Sequence, residues 1–111
     1  MQRDYKLYIE DILNSIEKIQ AYTENLSYEK FVENELLIDG VIKNLEIIGE
    51  AVKHLPTELK RKHHSIDWRK IAGLRDILIH HYFGIDREVI WDIMQHKLLE
   101  LKLAIGKIQK E

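Results

Sequence analysis

Apolar residues recur at intervals of three and four along most of this chain, and no other feature restricts its fold as much. Because an α-helix completes a turn in about 3.6 residues, this spacing gathers apolar side chains on one helix face. The first such repeat predicts an amphipathic helix over residues 4–24. Its apolar positions are Tyr5, Tyr8, Ile9, Ile12, Leu13, Ile16 and Ile19. No segment shows the alternation typical of a β-strand, so an all-α fold is expected.

A second long helix is predicted over residues 34–54. Before it, Ser27 is the expected cap of a short helix, and Leu26 and Phe31 are the hydrophobic pair that flanks this cap. The apolar residues of the long helix spread over more than one face, which indicates burial against two neighbours and a central position. These residues are Leu36, Leu37, Val41, Ile42, Leu45, Ile48, Val52 and Leu55.

Capping residues predict the remaining helices. Pro56 cannot continue the second long helix but fits the first turn of a short helix over residues 56–63. Asp67 is expected to cap a helix that runs to about His81 and stops at Gly84, and Asp86 to cap a last long helix. The flanking hydrophobic pairs are Ile66 with Ile71 and Ile85 with Ile90. The predicted buried stripe of the last helix is Val89, Ile90, Ile93, Met94, Leu98, Leu101, Ile105 and Ile108.

Together these segments predict an up-and-down bundle of four main helices plus short helices, in a single domain over residues 1–111. A domain of this size buries only about 60–70% of its unfolded surface, so a homodimer is expected. Gly73 points the same way. Inside a helix glycine costs about 1 kcal/mol relative to alanine, which indicates a close helix–helix approach, either within one chain or between two.

Composition restricts the compartment. The absence of cysteine excludes disulfides, thiolate-bound metals and a cysteine nucleophile, and it fits the reducing cytoplasm. The first residues are charged, and no apolar run approaches the roughly 20 residues of a membrane span. Neither export nor membrane insertion is therefore expected.

Basic charge is concentrated in residues 60–75. This segment has a net charge of +5, so the rest of a chain whose overall charge is −2 carries −7. Its basic residues are Lys60, Arg61, Lys62, Arg69, Lys70 and Arg75, against the single acid Asp67. Two interpretations stay open, a solvated face and a surface that attracts a polyanion such as RNA.

Six histidines in a helical bundle raise the question of a metal site. The di-iron sites of such bundles need a glutamate three residues before a histidine, and no histidine here has one. Glu50 with His54, and His63 with His64, are better interpreted as surface pairs than as metal ligands. Serine nucleophile motifs and phosphate-binding glycine loops are also absent. Neither a metal nor a cofactor is therefore expected.

Polar residues interrupt the apolar pattern between Arg75 and Tyr82. On a helix Asp76 and His80 are neighbours four residues apart, and Arg75 and Tyr82, seven apart, share another face. Arg75 and His80, five apart, do not face each other. If both act on one substrate, the helix end distorts, the long arginine reaches around it, or two chains contribute.

An arginine and a histidine without metal ligands suit phosphoryl chemistry on RNA. The imidazole of His80 can take the proton of a 2′-hydroxyl that attacks the adjacent phosphorus, while Arg75 stabilises the developing charge. Asp76 can orient His80. A structural interpretation also fits: Asp76 and His80 then form a helix-end hydrogen bond and Arg75 a surface ion pair.

At these residues the sequence resembles the HepT-like proteins of the HEPN superfamily, through the motif R-x4-H-x-Y at Arg75, His80 and Tyr82. Residues 44–51 (NLEIIGEA), 68–76 (WRKIAGLRD) and 82–86 (YFGID) are similar to that family in order and spacing. The resemblance covers essentially the whole chain.

The resemblance implies a HEPN-like helical homodimer that acts as the toxin of a toxin–antitoxin pair. Such a toxin is a metal-independent endoribonuclease with its cleft at the dimer interface, and RNA is its substrate. Its partner is a nucleotidyltransferase of the MNT type, which transfers AMP to the motif tyrosine. Arg75 and His80 would then be catalytic, Asp76 supporting, and Tyr82 the modified residue. The remaining candidates for RNA contact are His81, Lys60, Arg61, Lys62, Arg69 and Lys70.

One position departs from the family, in which glycine often lies between the motif histidine and tyrosine. Here that residue is His81, a candidate RNA contact or a structural histidine. The roles of Glu46 and Glu50, four apart in the second helix, stay open. So do two other functions, a non-catalytic module that docks on a nucleotidyltransferase and presents a nucleotide or substrate to it, and a purely structural dimerisation bundle.

Overall fold

The computed structural model describes residues 4–80 and 86–111, and the side chains of these residues except 75–77, 79 and 80. In these ranges the chain is helical and contains no strand. The α-helices are α1 (Tyr5–Thr23), α2 (Tyr28–Val32), α3 (Glu35–Lys53), α4 (Thr57–Lys62), α5 (Trp68–His80), α6 (Arg87–Asp92) and α7 (Leu98–Gln109). A π-helical turn, Ile93–Lys97, joins α6 to α7 and is called the π turn below. The all-α bundle predicted from the apolar repeats is thus confirmed.

The helix α3 is central, as predicted from its apolar residues. It packs against α1 on one side and against α5 on another, and α7 packs against α1. The middle of α3 contributes Val41, Leu45 and Ile48 to the core, and all three are fully buried. Each such side chain stabilises the fold by about 1.5–3 kcal/mol relative to an exposed one. The packing of α5 on α3 is the contact that positions the motif helix.

Three helices begin where the capping residues predict. The Oγ atom of Ser27 accepts a hydrogen bond from the backbone N–H of Lys30 at 3.2 Å. The Oδ1 atom of Asp67 accepts from the N–H of Lys70 at 3.1 Å, and that of Asp86 from the N–H two residues later at 2.9 Å. Each cap satisfies an N–H group that the helix itself leaves without a partner.

The last predicted helix differs from expectation, because the π turn divides it. From Ile90 to Leu98 an ideal helix rotates by about 800°, which is roughly 80° more than two full turns. A π turn takes in one extra residue and so removes most of this drift. Ile90, Met94 and Leu98 therefore all reach the core. Val89, predicted in the buried stripe, is instead 53% exposed, because it precedes the buried Ile90 by one residue and points about 100° away.

Two other residues of the predicted apolar repeats are exposed. Leu36, in the first turn of α3, is 83% exposed, since α1 and α5 cover other faces of this helix. Tyr5, the first apolar position of α1, is also exposed. None of the helices in the described ranges combines the length and the apolar character needed to cross a lipid bilayer.

Candidate functional site

The predicted motif lies at the C-terminal end of α5 and directly after it. Arg75, Asp76 and His80 belong to α5, but their side chains lie outside the described residues. His81 and Tyr82 lie outside them entirely, as do Gly84 and the predicted pairing of Ile85. The backbone of α5 is α-helical through His80, so the positions of Arg75 and His80 are about 140° apart around its axis. A distortion before His80 therefore does not bring the two together.

Trp68, the first residue of α5, fastens the short helix α4 to it. The indole ring is 8% exposed, and its Nε1–H group donates to two carbonyl oxygens, those of Lys60 and His63, each at 3.0 Å. A helix of six residues such as α4 is unstable in isolation, because nucleation costs more than so few hydrogen bonds return. The position of α4 and of its cations thus depends on Trp68.

This contact brings three of the predicted RNA contacts together. Lys60 and Arg61 of α4 and Arg69 of α5 surround a shallow depression of about 550 Å³, which we call the basic corner. Thr57, His64, Ser65 and the acid Asp67 complete its polar lining. Among the described residues, Arg61 pairs with Glu58 at 3.6 Å, and no carboxylate lies within ion-pair distance of Lys60 or Arg69.

The other two predicted cations point elsewhere. The Nζ atom of Lys62 lies 3.5 Å from Oε2 of Glu111, away from the basic corner. Lys70 lines a second, deeper concavity of about 620 Å³ between α5 and the π turn, which we call the α5 groove. Arg69 lines both concavities, so they are adjacent on the surface.

The α5 groove has an apolar floor and a charged rim. The residues of the floor are Ile66, Ile71, Leu74 and Ile93, and those of the rim are Asp67, Arg69, Lys70, Lys97 and Glu100. Gly73 also lines the groove, and a Cβ atom built on it meets no described atom within 4 Å. The close approach predicted at Gly73 is therefore not a contact with another described part of the same chain.

Histidine and carboxylate side chains meet in pairs in the described part of the chain. The Nε2 atom of His54 lies 3.3 Å from Oε1 of Glu50, which confirms that pair. His63 does not pair with His64: its side chain is 13% exposed and contacts the Glu111 carboxylate at 2.8 Å. Within the described ranges, no group of three or more histidines and carboxylates is arranged to hold a metal ion.

Comparison with known proteins decides the family. The family model described as "Ribonuclease HepT-like" matches residues 12–108. The chain belongs to the HepT-like ribonuclease family. No solved structure matches it significantly.

Curated relatives agree with the HepT-like assignment. The "Probable ribonuclease HepT" of Thermococcus cleftensis is 42% identical over 110 residues, which are 99% of this chain and 100% of the relative. The "Gamma-glutamylcyclotransferase and putative RNase" of Methanocaldococcus jannaschii is 42% identical over 111 residues. The chain spans only half the length of this second relative.

Two of the three segments through which the sequence resembles HepT-like proteins lie on helices in contact; the third, 82–86, lies outside the described residues except for Asp86. Residues 44–51 fall in the C-terminal half of α3, and residues 68–76 form the start of α5, which packs against α3. The side chain of Asn44 is buried and donates to the carbonyl of Gly40 at 2.9 Å. Asn44 therefore has a structural role inside the bundle.

A contact between two rings of this HepT-like chain could not be predicted from the sequence. The ring of Tyr8 stacks on His54, with ring centroids 4.6 Å apart and planes 10° from parallel. Together with Glu50, this joins the N-terminal part of α1 to the C-terminal end of α3. The spacing of Glu50 and His54 indicated their pairing, but a contact between residues 8 and 54 depends on tertiary packing alone.

Arg87 fixes the chain where it resumes after the motif. Its guanidinium donates to the carbonyl oxygen of Val32 and lies 3.6 Å from a carboxylate oxygen of Glu35. Since Val32 ends α2 and Glu35 begins α3, one side chain ties the start of α6 to both. The start of α6 is thereby held in position against α2 and α3.

Tyr28 begins α2, the helix whose last residue, Val32, accepts the hydrogen bond from Arg87. Its ring meets Trp91 edge-on, with centroids 5.9 Å apart. Burial raises the pKa of the Tyr28 hydroxyl above its ordinary value of 10.0, and the carboxylates of Glu88 and Asp86 raise it further. The hydroxyl is therefore neutral at physiological pH.

Proposed function

We propose that this chain is a metal-independent endoribonuclease, a single HepT-like HEPN domain that works in the cytoplasm as the toxin of a toxin–antitoxin pair. The observation that carries the proposal is the family match over residues 12–108, which includes Arg75 and His80. The basic corner adds support. It brings Lys60, Arg61 and Arg69 together beside the N-terminal end of α5, the helix that carries the motif. These cations would attract the phosphate groups of RNA.

The proposed reaction is an internal transesterification of RNA. His80 takes the proton of a 2′-hydroxyl, the bond from that oxygen to phosphorus forms, and the bond to the 5′-oxygen breaks. The departing oxygen takes a proton from water, and a cyclic phosphate end remains. Arg75 stabilises the charge on the phosphorane oxygens, and Asp76 orients His80.

The proposed catalyst is a homodimer. Arg75 and His80 are about 140° apart around a regular helix, so one chain does not direct both to one phosphate without a long reach by the arginine. A symmetric dimer relieves this difficulty, because an arginine of one subunit and a histidine of the other can meet across the two-fold axis.

The proposed control is AMPylation of Tyr82 by an MNT-type nucleotidyltransferase. A transferred AMP adds bulk and negative charge two residues from His80. Both oppose the approach of RNA phosphates, by blocking access and by electrostatic repulsion.

The central experiment is a nuclease assay in EDTA with protein in which Tyr82 is unmodified. Wild-type protein is expected to cut single-stranded RNA, and His80→Ala and Arg75→Ala to lose this activity. His96→Ala is the matched control, because His96 is an exposed histidine of the π turn, paired with Asp92 at 3.6 Å. Undiminished cutting by His80→Ala would remove His80 from the mechanism.

Intact-mass spectrometry tests the regulation separately. Protein produced with an active partner nucleotidyltransferase is expected to gain mass in multiples of AMP, and Tyr82→Phe to gain none. If unmodified wild-type protein cuts no RNA but still binds the transferase, the chain is a docking module instead. If Arg75→Ala and His80→Ala change neither activity nor binding, the bundle is purely structural.

A further inference from the structure

We propose that the α5 groove binds one unpaired nucleotide of the RNA substrate, with its base on the apolar floor and its phosphate at the cationic rim. This inference rests on the proposed ribonuclease function and adds a subsite to it. Such a subsite would make the enzyme prefer single-stranded RNA, because a base that is paired with another strand is not free to enter the groove.

The dimensions and lining of the α5 groove fit such a ligand. Its volume of about 620 Å³ lies within the range of small-molecule sites. Ile71, Leu74 and Ile93 form an apolar surface for the face of a base, while Lys70 and Lys97 stand at the edge where a phosphate would lie. In the described part of the chain, no carboxylate lies within ion-pair distance of either lysine.

Gly73 of α5 and two residues of the π turn line this groove together. Gly73 lies inside α5, where alanine would be more stable, and an added Cβ would have open space. Ile93 and Lys97 belong to the π turn, a conformation that is rare and often occurs at functional sites. Local conformations that cost stability are expected where a ligand needs them.

The position of the groove connects the two parts of the proposed active site. It adjoins the basic corner, since Arg69 lines both. Along α5, Gly73 precedes His80 by seven residues, about two helical turns or roughly 10 Å, so these two positions lie on the same side of the helix. One RNA strand can therefore pass from the basic corner, through the groove, to the motif.

A second copy of the chain is the other candidate occupant, and the rim charges favour RNA over it. In a symmetric contact the same surface meets itself, so Arg69, Lys70 and Lys97 would approach their own copies. Two acids, Asp67 and Glu100, offset these charges only in part, and the carboxylate of Asp67 already caps α5. A polyanion instead pairs with all three cations.

The test compares two glycine substitutions in the full chain, made on the His80→Ala background so that RNA is bound without being cut. Gly73→Ala places a methyl group in the groove. Gly106→Ala, in α7, is the matched control, because it is also helical and its added Cβ also meets no described atom within 4 Å. Binding is measured by fluorescence anisotropy with a labelled single-stranded RNA and, in competition, with inorganic polyphosphate, which has no bases.

Gly73→Ala is expected to weaken RNA binding about tenfold, the scale of overfilling a packed contact by one methyl group, and to leave polyphosphate binding unchanged. Its melting temperature is expected to equal or exceed that of the parent, which excludes misfolding as the cause. Gly106→Ala is expected to change neither affinity.

Three results would overturn the inference. If Gly73→Ala binds RNA within twofold of the parent while wild-type protein still cuts RNA, the groove is no subsite and the ribonuclease function stands. If sedimentation shows that Gly73→Ala instead disrupts the dimer, the groove is an interface between copies. If wild-type protein neither binds nor cuts RNA, the proposed function fails and the subsite with it.

Discussion

Replacing Trp68 by phenylalanine removes a single N–H group that two carbonyl oxygens share. The oxygens belong to Lys60 and His63, at the C-terminal end of α4, and each lies 3.0 Å from the indole nitrogen. A hydrogen bond of this kind contributes about 0.5–1.5 kcal/mol net. The smaller ring also loses buried apolar area, worth about 1 kcal/mol. The free energy of unfolding is therefore expected to fall by about 1.5–2.5 kcal/mol.

The effect can be measured by urea unfolding at one fixed protein concentration, followed by circular dichroism so that the lost tryptophan does not alter the signal. With an unfolding entropy of about 2.1 cal/mol/K per residue, a loss of about 2 kcal/mol lowers Tm by about 9 °C. RNA affinity is expected to fall as well, because Lys60 and Arg61 lose their fixed position beside Arg69.

Trp91→Phe is the matched control. Trp91 is half-buried and packs on Phe31 with ring centroids 5.3 Å apart, and its indole nitrogen has no hydrogen bond among the described residues. Its substitution is expected to cost less than about 1 kcal/mol. The reasoning is wrong if Trp68→Phe stays within about 0.5 kcal/mol of wild type, or costs no more than Trp91→Phe.

Three further outcomes are expected. Arg87→Ala should lower the free energy of unfolding by about 1.5–3 kcal/mol, through loss of a charged hydrogen bond; an unchanged urea midpoint would refute the anchor. Leu45→Ala should cost about 2–5 kcal/mol, whereas Leu36→Ala should stay within about 0.5 kcal/mol, and equal losses would contradict the burial assigned to them. Combined Lys60→Gln and Arg69→Gln should reduce the salt dependence of RNA binding by about 1.4 in log–log slope, so an unchanged slope would exclude the basic corner.

Helix starts could be predicted from the sequence because a cap depends on residues only two or three positions away. Ser27, Asp67 and Asp86 each accept a hydrogen bond from such a neighbour. The pairing of Glu50 with His54 was accessible for the same reason, since residues four apart share a helix face.

Features that depend on tertiary packing could not be predicted in this way. Leu36 has the same apolar character as Leu37 beside it, and only the placement of neighbouring helices leaves it 83% exposed. The basic segment appears in the sequence as one run of charge, but Trp68 brings Lys60 to Arg69 and leaves Lys62 turned toward Glu111. The spacing of these residues in the sequence does not show which of them come together in the fold.

The π turn has a consequence for how relatives of this chain are aligned. Because it holds one residue more than an α-helical turn, a relative that lacks that residue should show a one-residue gap within positions 93–97. Such a relative would keep its core stripe, because the counterparts of Ile90 and Leu98 would then lie seven residues apart, close to two α-helical turns. A one-residue gap at these positions would therefore mark the members of the family in which the wall of the α5 groove is an ordinary helix.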